Sequence, residues 1–228
     1  TSFFLPDIIV SGELLETSGG KPLLYQHIFW FYSHPAVYIM IMPAFGVVSE
    51  VISVFSRKPI FGYKMMVGSL ITIAGMSFIV WAHHMYQSGL NATAAKFFMF
   101  TTILITIPPT IIIFNWLATL LGGNIRLRVP MLHALAFLSM FMIGGLSGLF
   151  LASTYGDIFF HDTYFVVAHI HYVLFGGSLF GIFAGTTYWF PKAFGRVMNQ
   201  RLGQIHFWLT LIFFNLTFFT MHFLGFTG

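Results

Sequence analysis

The sequence predicts an all-α integral membrane protein with about six transmembrane helices. Of its 228 residues, 57% are hydrophobic and only 7% are charged, whereas a soluble domain carries about 25% charged residues. Ten basic and six acidic side chains are too few to cover a water-facing surface, so most of the surface must contact lipid or apolar protein. Cysteine is absent, which excludes disulfides, zinc–thiolate sites and iron–sulfur clusters and leaves histidine as the main candidate metal ligand.

Each predicted helix is an apolar stretch long enough to cross roughly 30 Å of hydrocarbon, which takes about 20 residues. Polar breaks with turn-forming residues separate these stretches, at Arg57-Lys58-Pro59, Ser88-Gly89-Leu90-Asn91, Gly122-Gly123-Asn124, Ser153-Thr154-Tyr155-Gly156-Asp157 and Pro191-Lys192-Ala193-Phe194-Gly195. The helices are predicted near residues 27–55, 63–87, 95–121, 131–152, 162–190 and 204–224, in one membrane domain over residues 1–228. Residues 1–26 are predicted to form a loop. Because the chain starts without an initiator Met and ends directly after an apolar run, we expect a fragment.

The basic residues predict how the bundle is oriented. If odd-numbered spans run from outside to inside, eight basic residues fall on the inner side and two on the outer side. The inner set is Arg57, Lys58, Lys64, Arg126, Arg128, Lys192, Arg196 and Arg201, and the outer set is Lys21 and Lys96. This asymmetry matches the positive-inside rule. The scattered basic residues make no continuous stripe, so nucleic acid is excluded as a partner.

Histidines inside the spans are the candidate functional residues, because ionisable groups are costly in a membrane and usually functional there. His34 and Tyr38 are separated by one helical turn, so their side chains can touch on one face. The adjacent pair His83 and His84 diverges by about 100° on a regular helix. Both can reach one metal ion only where the helix loosens, and they lie at the outer end of their span.

The fifth span carries two histidines that point in opposite directions. His169 and His171 are at i and i+2, so they lie on opposite helix faces and can serve two different cofactors. His169 falls at the same predicted depth as His34, His83 and His84, in the outer third of the membrane. Three imidazoles around one site suit copper, and a fourth on a facing helix suits a haem iron. Taken singly, each of these histidines is also compatible with a hydrogen-bonding role between helices or at the headgroups.

Four other histidines are interpreted as interfacial or packing residues. They are His27, His133, His206 and His222.

Longer motifs around these histidines resemble subunit I of the haem–copper cytochrome c oxidases. They are Trp30-Phe31-Tyr32-Ser33-His34-Pro35-Ala36-Val37-Tyr38, Ile79-Val80-Trp81-Ala82-His83-His84-Met85, Trp116-Leu117-Ala118-Thr119-Leu120 and His161-Asp162-Thr163-Tyr164-Phe165-Val166-Val167-Ala168-His169-Ile170-His171-Tyr172. The resemblance covers the whole chain. Since that catalytic subunit has about twelve spans, the six here are similar to its central to late portion.

The resemblance implies roles for individual residues. It makes His34, His83 and His84 copper ligands, and it makes His169 and His171 axial ligands of a high-spin and a low-spin haem, respectively. Tyr38 resembles the tyrosine that is joined covalently to the copper-ligand histidine. His161 and Asp162 resemble a magnesium-binding pair, and Asp157 is expected near haem propionates.

The implied activity is reduction of O₂ to water with electrons from cytochrome c, coupled to proton translocation. The implied cofactors are two haems, expected to be of type A, together with copper and magnesium. The implied partners are a copper-bearing subunit II, subunit III, cytochrome c and membrane lipid. We expect a bacterial or archaeal plasma membrane rather than the mitochondrial inner membrane.

Two departures from the family pattern concern proton transfer. Ala36 replaces the common glutamate, and Tyr32 and Ser33 before His34 resemble the subgroup in which these hydroxyls complete the proton path. In the other path, Pro109 and Ile112 stand where the family usually places Thr and Lys. Glu50 is a candidate proton-uptake group there, and an interfacial carboxylate is the alternative interpretation.

Two alternative functions remain open from the sequence. A nitric oxide reductase of the same superfamily is the nearer one, although Tyr38 and Ala36 both depart from what that family places there. A non-enzymatic ion transporter that uses intramembrane histidines is the other, although no inverted repeat is visible. As a fragment, the chain alone is expected to be inactive.

Overall fold

The computed structural model describes residues 9–10, 13–14 and 22–227, and the helices within these ranges account for the bundle. A short antiparallel pair of β-strands, β1 (Ile9–Val10) and β2 (Glu13–Leu14), precedes the bundle, with Ile9 opposite Leu14. The rest of the predicted loop up to residue 21 lies outside the described residues. The first helix, α1, covers Pro22–Ser56 and so starts within the predicted loop. A proline is well suited to a helix start because its missing N–H has no helical partner there.

Eight further α-helices follow α1 in the described part of the chain. They are α2 (Tyr63–Met76), α3 (Ala92–Leu104), α4 (Ile107–Leu120), α5 (Val129–Ala152), α6 (Thr154–Phe160), α7 (Tyr164–Ile170), α8 (Phe180–Phe194) and α9 (Gln200–Thr227). Within the described residues, five helical stretches are long and apolar enough to cross a membrane. Helices α3 and α4 together form one of them, and α7 to α8 form another. The second predicted span contains a shorter apolar helix, Tyr63–Ile79.

The second span is not one regular helix up to residue 87. After α2 the backbone forms two 3₁₀ turns, Ser77–Ile79 and Trp81–Met85, separated by Val80 in a non-helical conformation. Two side-chain hydroxyl groups donate hydrogen bonds to backbone carbonyl oxygens at this point. Ser77 Oγ donates to Ala74 O at 2.7 Å, and Thr101 Oγ1 of α3 donates to Ile79 O at 2.9 Å. The backbone N–H of His83 donates to Val80 O at 3.2 Å, which is the three-residue hydrogen bond of a 3₁₀ turn.

The third span is interrupted between α3 and α4, at Ile105 and Thr106. Pro108 and Pro109 cause this break, because they have no N–H to donate to the carbonyls four residues earlier and their rings crowd the preceding turn. Thr106 Oγ1 instead donates to Ile103 O at 2.7 Å.

The fifth span contains a wide turn in its centre. A π-helical segment, His171–Leu179, links α7 to α8, and segments of this kind are frequent at functional sites. Ahead of this span, residues 154–160 form the short helix α6 rather than the turn predicted between spans four and five.

The core of the bundle lies between α1, α4, α5 and the π-helical segment with α8. Aromatic rings fill it: Phe45 packs edge-to-face on Trp116 at a centroid distance of 5.6 Å and on Phe141 at 5.1 Å. Glycines allow the closest helix contacts, because small residues let the backbones of membrane helices approach each other. A Cβ on Gly144 of α5 would lie 2.7 Å from the side chain of Val173. The fifth span therefore sits tightly against α5, which fixes the position of its histidines.

Candidate metal centre

Three imidazoles from two separate segments meet at one point. His34 of α1 is buried, and its Nδ1 lies 3.1 Å from His84 Nε2. His83 Nε2 lies 3.0 Å from the same His84 atom. One ligand nitrogen from each of the three residues lies within 4.8 Å of the others. Nitrogens that share an ion at about 2.0 Å lie roughly 3 Å apart, so the spacing fits a single transition-metal ion.

The irregular backbone explains how neighbouring histidines reach the same point. His83 and His84 belong to the 3₁₀ turn Trp81–Met85, not to α2, and their ring centroids are only 4.2 Å apart. The loosening that the sequence required for a shared ion is therefore present. Thr101 of α3 donates a hydrogen bond to Ile79 O just before this turn, and no pattern in the second span indicates this contact.

Residues of other helices orient the two rings. The indole of Trp30 in α1 stacks on His84 at a centroid distance of 3.7 Å and an angle of 13°. Thr102 Oγ1 of α3 lies 3.1 Å from His83 Nδ1. A hydrogen bond of this kind holds the ring of a ligating histidine in place. Sequence analysis did not identify Thr102, because its position gives no signal until α3 is placed beside the turn.

Tyr38 lies beside His34, as their spacing predicts. The two ring centroids are 4.6 Å apart, at an interplanar angle of 65°. His34 Nδ1 faces His84, while His34 Nε2 is buried and has no hydrogen-bond partner among the described residues. The arrangement leaves this nitrogen free for a bond to a neighbouring group.

His169 is held against α5. Its Nδ1 lies 2.8 Å from Gly144 O and 3.2 Å from Ser147 Oγ. Gly148 leaves room for the ring, because a Cβ there would lie 2.7 Å from His169 Cε1. Since the carbonyl can only accept, Nδ1 carries the proton and Nε2 keeps its lone pair.

His171 faces the other side of the fifth span, towards α9. Its ring stacks on Phe218 at a centroid distance of 4.0 Å and an angle of 13°. Its Nδ1 donates to Val167 O at 2.8 Å, so His171 also keeps the lone pair on Nε2. The opposite faces predicted for His169 and His171 are therefore present, with α5 on one side and α9 on the other. Neither Gly148 nor Phe218 was identified from the sequence, because both act from distant helices.

The two acids predicted outside span five flank His161. His161 Nδ1 lies 3.2 Å from Asp157 Oδ2, and His161 Nε2 lies 3.7 Å from Asp162 Oδ2. Asp157 is buried, whereas the Asp162 side chain is 92% exposed. The hydrogen bond to Asp157 raises the pKa of His161 above its ordinary value of 6.5, against the opposing effect of partial burial.

The predicted proton-path residues are not joined to the cluster in residues 22–227. Tyr32 is 72% exposed and Ser33 is half-buried, and no hydrogen bond links either side chain to the three imidazoles. Glu50 is exposed near the other end of α1 and accepts a hydrogen bond from Tyr188 at 3.3 Å. Ile112 is fully buried in the core.

The four histidines interpreted as packing residues differ in their surroundings. His27 Nδ1 accepts a hydrogen bond from Trp81 Nε1 at 3.2 Å, and His222 packs on Phe165. His133 and His206 lie near each other between α5 and α9, at a ring-centroid distance of 5.9 Å.

Comparisons with known proteins agree with this geometry. A family model described as cytochrome c and quinol oxidase polypeptide I matches residues 2–228. Cytochrome c oxidase subunit 1 of Synechocystis sp. is 56% identical over all of this chain and 40% of its own length. The corresponding subunit of Cereibacter sphaeroides is 49% identical over all of this chain and 38% of its own length. The chain thus spans about two fifths of the length of these curated relatives.

A solved structure shares the fold. A chain from the cryo-EM structure of a heme-copper terminal oxidase dimer superimposes with a TM-score of 0.80, at 22% identity. The match covers 89% of this chain and 39% of that one.

Proposed function

The chain belongs to the cytochrome c and quinol oxidase polypeptide I family, and on that premise we propose that it is part of the catalytic subunit of a respiratory terminal oxidase. The proposed reaction transfers four electrons from cytochrome c and four protons to O₂ and forms two molecules of water. It is coupled to proton translocation across the membrane. Because this chain spans only part of its relatives, the activity is proposed for the full-length subunit.

The observation that carries the proposal is the convergence of three imidazole nitrogens next to a phenol. His34, His83 and His84 offer nitrogens at a spacing that fits one ion, and imidazole suits copper. The unpartnered, buried Nε2 of His34 and the contact between His34 and Tyr38 distinguish this cluster from three histidines that merely hydrogen-bond to one another. We assign these histidines as copper ligands.

His169 and His171 fit two haems, because each donates a ring N–H to a backbone carbonyl and keeps its other nitrogen free. Ligating histidines characteristically make such a bond with the second ring nitrogen. We propose that His169 would hold the high-spin haem and His171 the low-spin haem, because the two imidazoles lie on opposite sides of the helix. When bound, the haems and copper supply the redox chemistry of O₂ reduction. Haem A is the proposed type.

The residues of the chain hold these groups and control protons. Trp30, Thr102, Ser147 and Gly148 keep the imidazoles in the orientation that leaves the correct nitrogen free. Tyr38 is proposed to deliver a proton and an electron from its phenol when the O–O bond breaks.

We also propose a covalent bond between His34 Nε2 and a ring carbon of Tyr38. The bond replaces the His34 N–H and a Tyr38 C–H, which releases two electrons and two protons. O₂, the substrate of the enzyme, is the oxidant that accepts them. The free Nε2 and the ring contact support this proposal.

Proton delivery is proposed to use Tyr32 and Ser33 on the approach to His34, and Glu50 at the other end of α1. Glu50 accepts a hydrogen bond from the Tyr188 hydroxyl. Its carboxylate therefore has a polar neighbour, which supports a role in proton uptake. Water is proposed to bridge Tyr32 and Ser33 to the centre, since hydroxyl groups relay protons over distances greater than one hydrogen bond only through such bridges.

Magnesium is proposed at the outer surface. Asp162 and His161 would hold the ion. Carboxylate oxygens are the ligands that Mg²⁺ prefers, and His161 Nε2 lies 3.7 Å from Asp162 Oδ2. Asp157, buried on the other side of His161, is proposed to lie near haem propionates.

The proposed partners are a copper-bearing subunit II, subunit III and cytochrome c. The curated relatives named above come from bacteria, which supports a bacterial plasma membrane as the location.

The reduced-minus-oxidised optical spectrum of the full-length oxidase tests this function. We expect two haem signals, of which His169→Ala removes the high-spin one and His171→Ala the low-spin one. A spectrum without haem, or with both signals intact in both variants, would contradict the assignment.

A further inference from the structure

A second cluster of histidines lies at the opposite end of α5 from the haem and copper residues. His133, near the start of α5, and His206 of α9 both line a cavity of about 340 Å³, and their ring centroids are 5.9 Å apart. Gly148 and Ser147 are roughly 20 Å further along α5, at 1.5 Å per residue. By the distribution of basic residues this end of the bundle is the inner one. The cavity therefore belongs to neither metal centre described above.

His133 has the hydrogen-bond arrangement of a ligating histidine. It is 1% exposed, and its Nδ1 lies 2.9 Å from the carbonyl oxygen of Val129. The carbonyl fixes the proton on Nδ1, which leaves a lone pair on Nε2. Nε2 is buried and has no hydrogen-bond partner among the described residues. His169 and His171 share this pattern of a bonded Nδ1 and a free Nε2.

The distance between His133 and His206 fits one bridging ion. With a metal–nitrogen bond of about 2.0 Å, a ring centroid lies roughly 3.2 Å from the ion, so two rings sharing an ion have centroids up to about 6.4 Å apart. The observed separation is 5.9 Å, with the rings tilted by 41°. The three rings of the copper cluster are separated by 4.2, 4.5 and 5.3 Å.

Further polar groups line the same cavity. Gln200, at the start of α9, contributes a buried Oε1 that also has no partner among the described residues. Thr187 of α8 and Met198 complete this side of the cavity. Two imidazoles with a single amide oxygen suit a transition-metal dication better than Mg²⁺, which binds mainly through oxygen ligands.

We propose that His133 and His206, with Gln200, bind an imidazole-preferring transition-metal dication such as Zn²⁺ between α5 and α9. Close packing of these helices supports a fixed site, because a Cβ on Gly203 of α9 would lie 2.9 Å from Val129 of α5. The ion bridges the inner ends of two helices that also carry or contact the haem-ligand segment. Its role is structural and separate from O₂ reduction.

Zinc-edge anomalous scattering from the full-length oxidase tests the site. The protein is treated with a chelator and then given Zn²⁺ alone. The site predicts an anomalous peak between His133 and His206, and His206→Gln, which removes one of the two imidazoles at an exposed position, should abolish that peak. Gln204→Ala, on the same helix and exposed, is the matched control and should keep the peak. An excess of Mg²⁺ should not displace Zn²⁺ from this position.

The outcomes separate this site from the proposed oxidase function. Copper content and the haem spectrum are measured on the same samples, and they should not change in His206→Gln. No anomalous peak at this position, or equal zinc occupancy in wild type and His206→Gln, would overturn the site. A water molecule bound to His133 Nε2 in place of zinc would also overturn the site.

Discussion

Gly148 leaves the space that the ring of His169, the proposed ligand of the high-spin haem, occupies against α5. Gly148→Ala would place a Cβ 2.7 Å from His169 Cε1, so the ring must move or the helices must separate. Overpacking of this kind costs about 1–3 kcal/mol. We predict loss or alteration of the high-spin haem signal, with the low-spin signal retained, in the optical spectrum of the purified oxidase.

Gly145→Ala is the matched control for this substitution. It changes the same helix three residues away, where a Cβ meets no atom within 4 Å. Equal high-spin spectra for both variants would show that His169 does not depend on the space at Gly148.

Thr102 is expected to control the occupancy of the copper site through His83. Thr102→Val removes the hydroxyl 3.1 Å from His83 Nδ1 and leaves the ring free to rotate or change its protonated nitrogen. Loss of such a supporting hydrogen bond lowers metal affinity by about 10- to 100-fold. The copper-to-haem ratio after dialysis against a chelator should fall in Thr102→Val. Thr110→Val, whose hydroxyl bonds only within its own helix, should keep the wild-type ratio, and a ratio unchanged in both variants would exclude the orienting role.

The direction of the His161 pKa shift predicts how binding of the proposed ion at the outer surface depends on pH. Because the hydrogen bond to Asp157 raises this pKa, His161 becomes protonated at a higher pH than an ordinary histidine, and a protonated imidazole cannot bind a metal. Bound Mn²⁺, used in place of Mg²⁺, should be released as the pH falls through the raised pKa. Asp157→Asn should lower the pKa and move the release to lower pH. Mn²⁺ electron paramagnetic resonance measures this, and a release midpoint that stays the same would contradict the coupling.

At the scale of secondary-structure elements, irregular segments bring the functional residues together. The 3₁₀ turn Trp81–Met85 brings two adjacent histidines to one point. The π-helical segment starts at His171, just after His169. A continuous α-helix through Val80 would direct His83 and His84 about 100° apart.

Close contact between α7 and α9 is expected to hold the segment that carries both proposed haem ligands. A Cβ on Gly225 would overlap the backbone nitrogen of Phe165, so Gly225→Ala forces these helices apart at a cost of about 1–3 kcal/mol. The melting temperature of the oxidase, followed by loss of haem absorbance, should fall. Gly68→Ala, where a Cβ meets no atom within 4 Å, is the control. Equal melting temperatures would show that this contact does not limit stability.

At the scale of the whole molecule, composition and hydrophobic run length were sufficient to predict a membrane bundle. Local spacing also predicts two further features. One is the contact of His34 with Tyr38, and the other is the position of His169 and His171 on opposite faces of one helix. These features depend only on residues within one helix, whose geometry the sequence specifies.

Features that depend on a second helix were not predicted. Two hydroxyl groups of α3 contact the second span here: Thr101 donates to Ile79 O beside the break at Val80, and Thr102 lies 3.1 Å from His83 Nδ1. His133 was interpreted as a packing residue, because the unpartnered nitrogen becomes visible only when the carbonyl of Val129 and the ring of His206 are placed around it. The sequence does not specify these distances.

Copper-edge anomalous diffraction from the full-length oxidase tests the copper centre most directly. The proposal predicts one copper peak within bonding distance of His34 Nδ1, His83 Nε2 and His84 Nε2, next to the ring of Tyr38. A copper peak elsewhere in this chain, or an intact oxidase in which these three nitrogens bind no metal, would contradict it.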